Sequence, residues 1–288
     1  MPIDRATYVR IDDRVELLDA EFERFHYERH WHDTYAIGVT LRGVQRFRCG
    51  GRTYDSVAGK VIIIPPGEVH DGESGAAGGY AYRMFYVAED TLYDLVSDAF
   101  ERRARMIAPQ PCLLTDPDLA RRLARLWRVM HADARSLAAE ELFQRTFADL
   151  WGRTLVDRDA ARVLPDARLD RVRDYLHEHL HQHASLAQLA ALTSMSRYRL
   201  TRQFERAFGL PLHAYHVQIR LQEAKRRIGQ GIPITRVAIE LGFADQSHFH
   251  RRFKGAFGIT PGECRASKAR RPNRTTIQEP YSAMNYNE

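Results

Sequence analysis

His30 and His32 stand two residues apart, and His70 follows Pro65 and Gly67 after the apolar run at 61–64. On a strand, residues i and i+2 share a face, so imidazoles at that spacing aim the same way. A closed sheet could bring His70, leaving a tight turn, beside them. Three converging imidazoles would suit a divalent transition metal. The plainer reading is a polar pocket in which they hydrogen-bond an organic ligand or one another. Trp31, Tyr35, Glu68, Tyr82 and Arg83 are candidate walls, because small-molecule sites mix apolar surface with a few polar groups. The candidate ligand set is thus His30, His32, Tyr35, Glu68, His70 and Tyr82, with His30, His32 and His70 as candidate metal ligands.

A second chemistry is written in the last third as a repeat. Leu186, Leu189 and Ala190 match Ile234, Val237 and Ala238 at an offset of 48; Phe204, Phe208 and Gly209 match Phe253, Phe257 and Gly258 at 49. The extra residue falls between the two helices of the unit, where a turn absorbs it. Each second helix starts at a capping residue, Ser196 or Asp245, and stops at a glycine followed by proline. Leu200, Phe204 and Phe208 face inward in one, and Phe249, Phe253 and Phe257 in the other. That leaves Arg197, Tyr198, Thr201 and Arg202 outward in the first unit, and Gln246, Ser247, His250 and Arg251 in the second. Arginine pairs with guanine, glutamine with adenine, and threonine or an aromatic ring meets a thymine methyl. A helix carrying such residues fits the major groove of double-stranded DNA. The stretch 214–228 has helical spacing without breakers and would hold the two readers one turn of DNA (~34 Å) apart.

The elements that position these residues follow from the periodicity. Residues 20–88 carry short β runs, 35–41, 44–48 and 61–64, divided by turn signals at Arg42-Gly43, Cys49-Gly50-Gly51, Ala58-Gly59 and Pro65-Pro66-Gly67. A sandwich or barrel is expected. From about Leu92 the period is helical. Leu119, Leu123, Leu126, Val129 and Met130 form one apolar stripe; Leu142, Phe143, Phe147, Leu150 and Trp151 form another. Each stripe packs on the barrel or on a second copy of the chain. Residues 152–167 have weak periodicity, and from Leu169 to about Ser267 the pattern is wholly helical. The expected fold is therefore α+β in two domains: a β-barrel with dimerisation helices, then an all-α domain with two helix-turn-helix units. The bounds are 1–155 for sensing and dimerisation, 156–167 for a linker, 168–268 for DNA binding and 269–288 for a loose tail.

Composition limits the alternatives. Of 288 residues, 44% are hydrophobic and 28% charged, enough to build a core. Residues 166–288 hold 20 Lys/Arg against 11 Asp/Glu, a net of +9, whereas residues 1–165 carry a net of −3. A basic half joined to a mildly acidic one suits the C-terminal part to a polyanion; the alternative is a solvated cationic surface with no partner. No apolar run is long enough to span a membrane, and MPIDRATYVR lacks a basic stretch followed by an apolar one, so secretion is not expected. Cys49, Cys112 and Cys264 are scattered and odd in number, which fits a reducing cytoplasm.

The last hundred residues, from Leu169 to Ser267, resemble the AraC/XylS family of transcription regulators. The resemblance is carried by LxxLA at 186–190, SxxxLTRxFExxFG at 196–209 and IxxVAxxLGFxDQSHFxRxFKxxFGxTP at 234–261. It implies seven helices, two of them reading DNA, and control of promoters. His248 and His250 depart from the residues frequent there. The N-terminal part resembles the cupin barrel that often precedes this domain, through His30-x-His32 with Gly43, then Gly59, Pro65, Gly67 and His70. Ala36 stands where metal-binding cupins usually carry glutamate. The function implied is a sequence-specific regulator responding to a small effector, working as a cytoplasmic homodimer beside RNA polymerase, and not an enzyme. One alternative is a cupin-type metal-dependent enzyme fused to a DNA-binding domain. The other is a general nucleic-acid-coating protein, which would show steep salt dependence and no sequence preference.

Overall fold

The computed structural model describes residues 4–100, 112–154, 166–182 and 184–267. The tail expected at 269–288 and all but the end of the linker expected at 156–167 lie outside them.

Strands β1 (Asp4–Arg10), β2 (Val15–Phe22), β3 (Tyr27–His30), β4 (Thr34–Cys49), β5 (Arg52–Val57), β6 (Val61–Ile64), β7 (His70–Ser74), β8 (Tyr80–Ala88) and β9 (Leu113–Leu114) form one sheet that folds back on itself. The first layer runs β1-β2-β8-β4-β6-β9; β3, β7 and β5 form the second with the far half of β4. The sheet begins at Asp4, well before the run expected from residue 20. β4 also departs from expectation. The Arg42-Gly43 turn signal lies inside one 16-residue strand, just after a bulge at Leu41. Gly43, at φ +69°, would place a Cβ 1.9 Å from the Gly79 carbonyl oxygen, so no other residue fits. Beyond the bulge β4 leaves β8 and pairs with β5 and β7, which closes the second layer over the first.

Three helices cover the outer face: α1 (Glu89–Phe100), α2 (Pro117–Asp133) and α3 (Leu137–Thr154). Asp116 accepts from the Leu119 amide and so caps α2. Both apolar stripes are used up here. Leu119, Leu123, Leu126 and Met130 of α2, with Phe143, Phe147, Leu150 and Trp151 of α3, pack on Leu17, Tyr35, Ile37, Phe85 and Val87 of the sheet.

Seven helices make up the described part of the second domain: α4 (Ala167–Glu178), α5 (Leu186–Thr193), α6 (Arg197–Phe208), α7 (Leu212–Gly229), α8 (Ile234–Glu240), α9 (Gln246–Phe257) and α10 (Pro261–Ser267). The two helix-turn-helix units are α5–α6 and α8–α9, joined by the 18-residue α7. Ser196 accepts from the Arg199 amide and Asp245 from the His248 amide, as the capping pattern requires. Gly209 (φ +72°) and Gly258 (φ +74°) end α6 and α9 in the left-handed region.

The two domains are docked. The apolar cluster inside the sheet, with Phe22, Tyr27, Tyr80 and Tyr82, is continuous with Leu221, Phe249, Phe253 and Phe257 of the helical domain. The Tyr8 hydroxyl donates to the Phe257 carbonyl at 3.0 Å, and Lys225 pairs with Glu16 at 2.6 Å. The structure also corrects the reading of the cysteines: Cys49 and Cys112 are bonded to each other, and Cys264 is a buried thiol outside that bond. Their 63-residue separation hid a pairing that only the path of the chain after β4 produces. No helix among the described residues is long and apolar enough to cross a membrane.

Candidate nucleic-acid interface and effector pocket

Helix α6 buries Leu200 and Phe204 and helix α9 buries Phe249, Phe253 and Phe257, so the opposite faces are turned outward by the 3.6-residue period. Arg197, Tyr198 and Arg202 are exposed and Thr201 half-buried; Gln246, Ser247 and Arg251 are exposed and His250 half-buried. All eight residues expected to read DNA therefore lie on one face of their helix. Within α6, Arg202 donates to the Tyr198 hydroxyl at 3.0 Å and lies over its ring, which fixes the guanidinium without consuming its charge. Thr201 returns its hydroxyl to the carbonyls of Arg197 and Tyr198. A buried arginine, not singled out from sequence, locks the units together: Arg220 of α7 donates to the carbonyls of Leu180, Gln182 and Gly242. It meets three carbonyls from both ends of the domain, a use of the guanidinium fork that spacing along one helix does not announce.

The three histidines do meet. β3 and β7 are paired with His30 opposite His70, and the ring centroids are 4.3 Å (His30–His70), 4.8 Å (His32–His70) and 6.4 Å (His30–His32) apart. Each Nδ1 donates to a backbone carbonyl: His30 to Glu28 at 2.7 Å, His32 to Thr34 at 2.7 Å and His70 to Glu68 at 2.8 Å. Each Nε2 is then left as an acceptor. Burial disfavours the imidazolium and pulls His30 down to about 4 and His32 to about 3, with His70 also well below the usual value. The cluster is neutral at neutral pH. His32 Nε2 is buried with no hydrogen-bond partner among the described residues.

Anchored neutral imidazoles are the right donor chemistry for a metal. As placed, however, no group of three His, Cys, Asp or Glu side chains among the described residues could hold a metal ion. Ala36, buried in the sheet interior, supplies nothing further.

The remaining pocket candidates separate. Tyr82 is inside the sheet and donates to the Tyr27 hydroxyl at 2.9 Å. Tyr35 is not with the histidines: its ring meets Trp151 edge-on at 5.2 Å on the opposite, helix-covered face. Arg83 is on that face too, over Trp127 and paired with Asp19. Glu68 turns its carboxylate to the Gly50 amide, and only its carbonyl serves the cluster. Trp31 stacks on Tyr215 of α7. What sequence reasoning missed is a set of tyrosines. Tyr8 and Tyr86 stack at 6.0 Å beside the histidines, and burial raises their hydroxyl pKa values. They come from distant strands, and only the register brings them together.

A cavity of about 650 Å³ opens at this point, between the domains rather than inside the barrel. His30, His32, Tyr8 and Tyr86 line it from the sheet; Ile219, Gln222 and Lys225 line it from α7. Its walls mix rings, imidazole acceptors, carboxylates and cations, among them Lys225, which is held over the rings of Tyr8, Tyr86 and Phe257.

A sheet-rich domain with a polar pocket, docked on two tandem helix-turn-helix units whose second helices expose a polar face, defines a DNA-binding transcription regulator. Comparison with known proteins agrees. The AraC-like ligand binding domain model matches residues 14–147, and a helix-turn-helix domain model matches residues 189–267. The chain belongs to the AraC/XylS family. It is 27% identical to the uncharacterized HTH-type transcriptional regulator YbfI of Bacillus subtilis, over 77% of this chain and 81% of that one. It is 22% identical to the arabinose operon regulatory protein of Escherichia coli, over 85% of this chain and 84% of the relative. Its fold is similar to ToxT of Vibrio cholerae, with a TM-score of 0.59 at 12% identity, covering 89% and 98% of the two chains.

Proposed function

We propose that this regulator is effector-responsive: a small molecule occupies the cavity between the domains and changes how the two reading helices meet DNA. The observation that carries this reading is the cavity's position. Its walls come from both domains, so a ligand there contacts the sensing strands and α7 at once. A ligand can shift DNA affinity only if it binds two arrangements unequally, and a junction is where arrangements differ most. The Nε2 acceptors of His30 and His32, with the hydroxyls of Tyr8 and Tyr86, favour a ligand that donates hydrogen bonds, such as one bearing hydroxyl or amino groups. ToxT is also seen with an unsaturated fatty acid bound, at a TM-score of 0.54, which supports small-molecule occupancy in this fold.

The reading helices carry different outward sets, so one chain reads an asymmetric site and lies on it in one direction. That polarity suits a contact with RNA polymerase at the promoter. Homodimerisation would need a surface other than the two stripes, since both are buried on the sheet. Leu123, fully buried against the sheet, is therefore a core residue, and sedimentation of the full chain is the direct measurement of association.

The test begins with selection of duplexes from a random pool by the full-length protein, followed by footprinting. A defined asymmetric motif is expected; binding without preference would leave a coating protein. A thermal-shift screen of polyols, amines and carboxylates, repeated on His32→Ala, then tests the pocket. A shift that the substitution leaves intact would move the effector elsewhere. The metal reading has its own observation, the anchored imidazoles. Stoichiometric zinc or manganese in the purified protein, lost on His32→Ala, would establish it; with turnover of a small substrate it would also revive the enzyme alternative.

A further inference from the structure

Residues 27–34 run from the imidazole cluster to both reading helices, and their side chains divide between the two. Tyr27, His30 and His32 turn inward, Tyr27 to Tyr82 and the histidines to His70. Glu28, Arg29 and Trp31 turn to the DNA-binding domain. Glu28 pairs with Arg252 of α9 at 2.7 Å. Arg29 donates at 2.6 Å to the carbonyl of Gly209, the residue that ends α6. The Trp31 carbonyl accepts from Gln218 and Gln222 of α7 at 3.0 and 2.6 Å.

This division depends on a bulge. Tyr27 lies opposite Gly72 and His30 opposite His70, so β3 has one residue more than β7 between these pairs. The extra residue lets Glu28 and Arg29 both point away from the sheet while Tyr27 and His30 both point in. The helix ends they reach are pressed close. A Cβ on Gly209 would meet Val69 at 2.9 Å, one on Gly255 would meet Glu28 at 2.9 Å, and one on Gly258 would meet the Tyr27 hydroxyl at 2.7 Å. Both readers are thus gripped at their C-terminal ends, while Arg197, Tyr198, Gln246 and Ser247, at the opposite ends, are exposed.

We propose that residues 27–34 are a strap that ties the state of the imidazole pocket to the relative placement of the two reading helices. The His30 Nδ1 bond to the Glu28 carbonyl is the short link: a ligand that draws the His30 ring moves the residue that holds Arg252. Arg29, next along the bulge, carries the same displacement to the end of α6. The strap rests on the reading of the cavity as the effector site, but it makes a prediction without an effector.

Hydrogen exchange on the full chain tests it. His30→Ala, which touches neither reader, is expected to speed amide exchange about tenfold at the ends of both α6 and α9. Arg29→Ala should loosen the α6 end alone, and Glu28→Gln the α9 end alone. Thr40→Val is the control for general loosening. It breaks the buried Thr40–Ser56 hydroxyl pair elsewhere in the sheet and should leave both ends unchanged. Exchange confined to residues 27–34 in His30→Ala, or equal loosening by Thr40→Val, would overturn the strap. Should His30→Ala fail to fold, His30→Asn offers the same comparison with a polar side chain retained. If no ligand shifts the wild-type protein, the effector reading fails, while the exchange pattern still decides the strap.

Discussion

The two helix-turn-helix units share a sequence pattern but not a core. Unit one closes on itself: Leu189, Leu200 and Phe204 pack with Val172 and Leu176 of α4 and with Leu212, Tyr215 and Ile219 of α7, and among the described residues Trp31 and Val69 are the apolar side chains of the sheet domain packed on this cluster. Unit two has no such independence. Val237, Leu241, Phe249, Phe253 and Phe257 belong to the cluster that fills the inside of the sheet. Helix α7 serves both, with Val217, Leu221 and Ala224 in one cluster and Tyr215 and Ile219 in the other. Repetition in sequence therefore specifies the local unit, while what each copy is packed against decides how far it obeys the sensing domain.

The largest test of this asymmetry is a pair of cavities. Phe204→Ala and Phe253→Ala each remove a fully buried ring and should each cost about 3–5 kcal/mol. In calorimetry, Phe204→Ala should lower the transition of unit one alone, and Phe253→Ala should lower that of the sheet domain as well. Identical thermograms would mean a single core.

Acid should separate the same regions. His30 titrates near 4 in the folded chain against about 6.5 unfolded, so between those values the unfolded state binds more protons. Stability is full above pH 6.5 and falls as pH drops toward 4, by about 3 kcal/mol from this residue. His32, held near 3, adds to the slope. Far-ultraviolet and tryptophan signals followed from pH 7 to 4 should show the sheet and unit two failing before unit one. A flat profile would mean that the imidazoles are not buried neutral.

Smaller effects come from single bonds. Tyr8→Phe leaves the Phe257 carbonyl without its donor and should cost about 1–3 kcal/mol, seen as faster proteolysis at the α9–α10 junction. Arg202→Ala and Arg251→Ala should each cost ~1–3 kcal/mol in operator affinity and relax preference at different positions of the site. Equal loss on random duplexes would make them phosphate contacts.

The DNA-binding half was legible because its determinants are local. Caps at Ser196 and Asp245, stops at Gly209 and Gly258 and aromatic spacing of four all lie within a dozen residues, and the structure realises each one. The histidine cluster was half legible. His30 and His32 do come together, but His32 lies just past the end of β3, so strand alternation does not account for it, and His70 arrives through strand pairing. Tyr35 was misplaced because the run around it is buried on both faces, so alternation carries no label for inside and outside. The tyrosine wall, the Cys49–Cys112 bond and the docked arrangement depend on contacts between distant segments, which no periodicity encodes.

The mixed loyalty of α7 also bears on how the chain can be divided. A reader excised at the start of α4 would carry Leu221, Phe253 and Phe257 to the surface in one patch, stripped of the rings of Tyr8, Phe22 and Tyr27. Such a fragment would be adhesive in solution. A chimera that grafts these helices onto another sensor would inherit the same demand for a matching apolar seat.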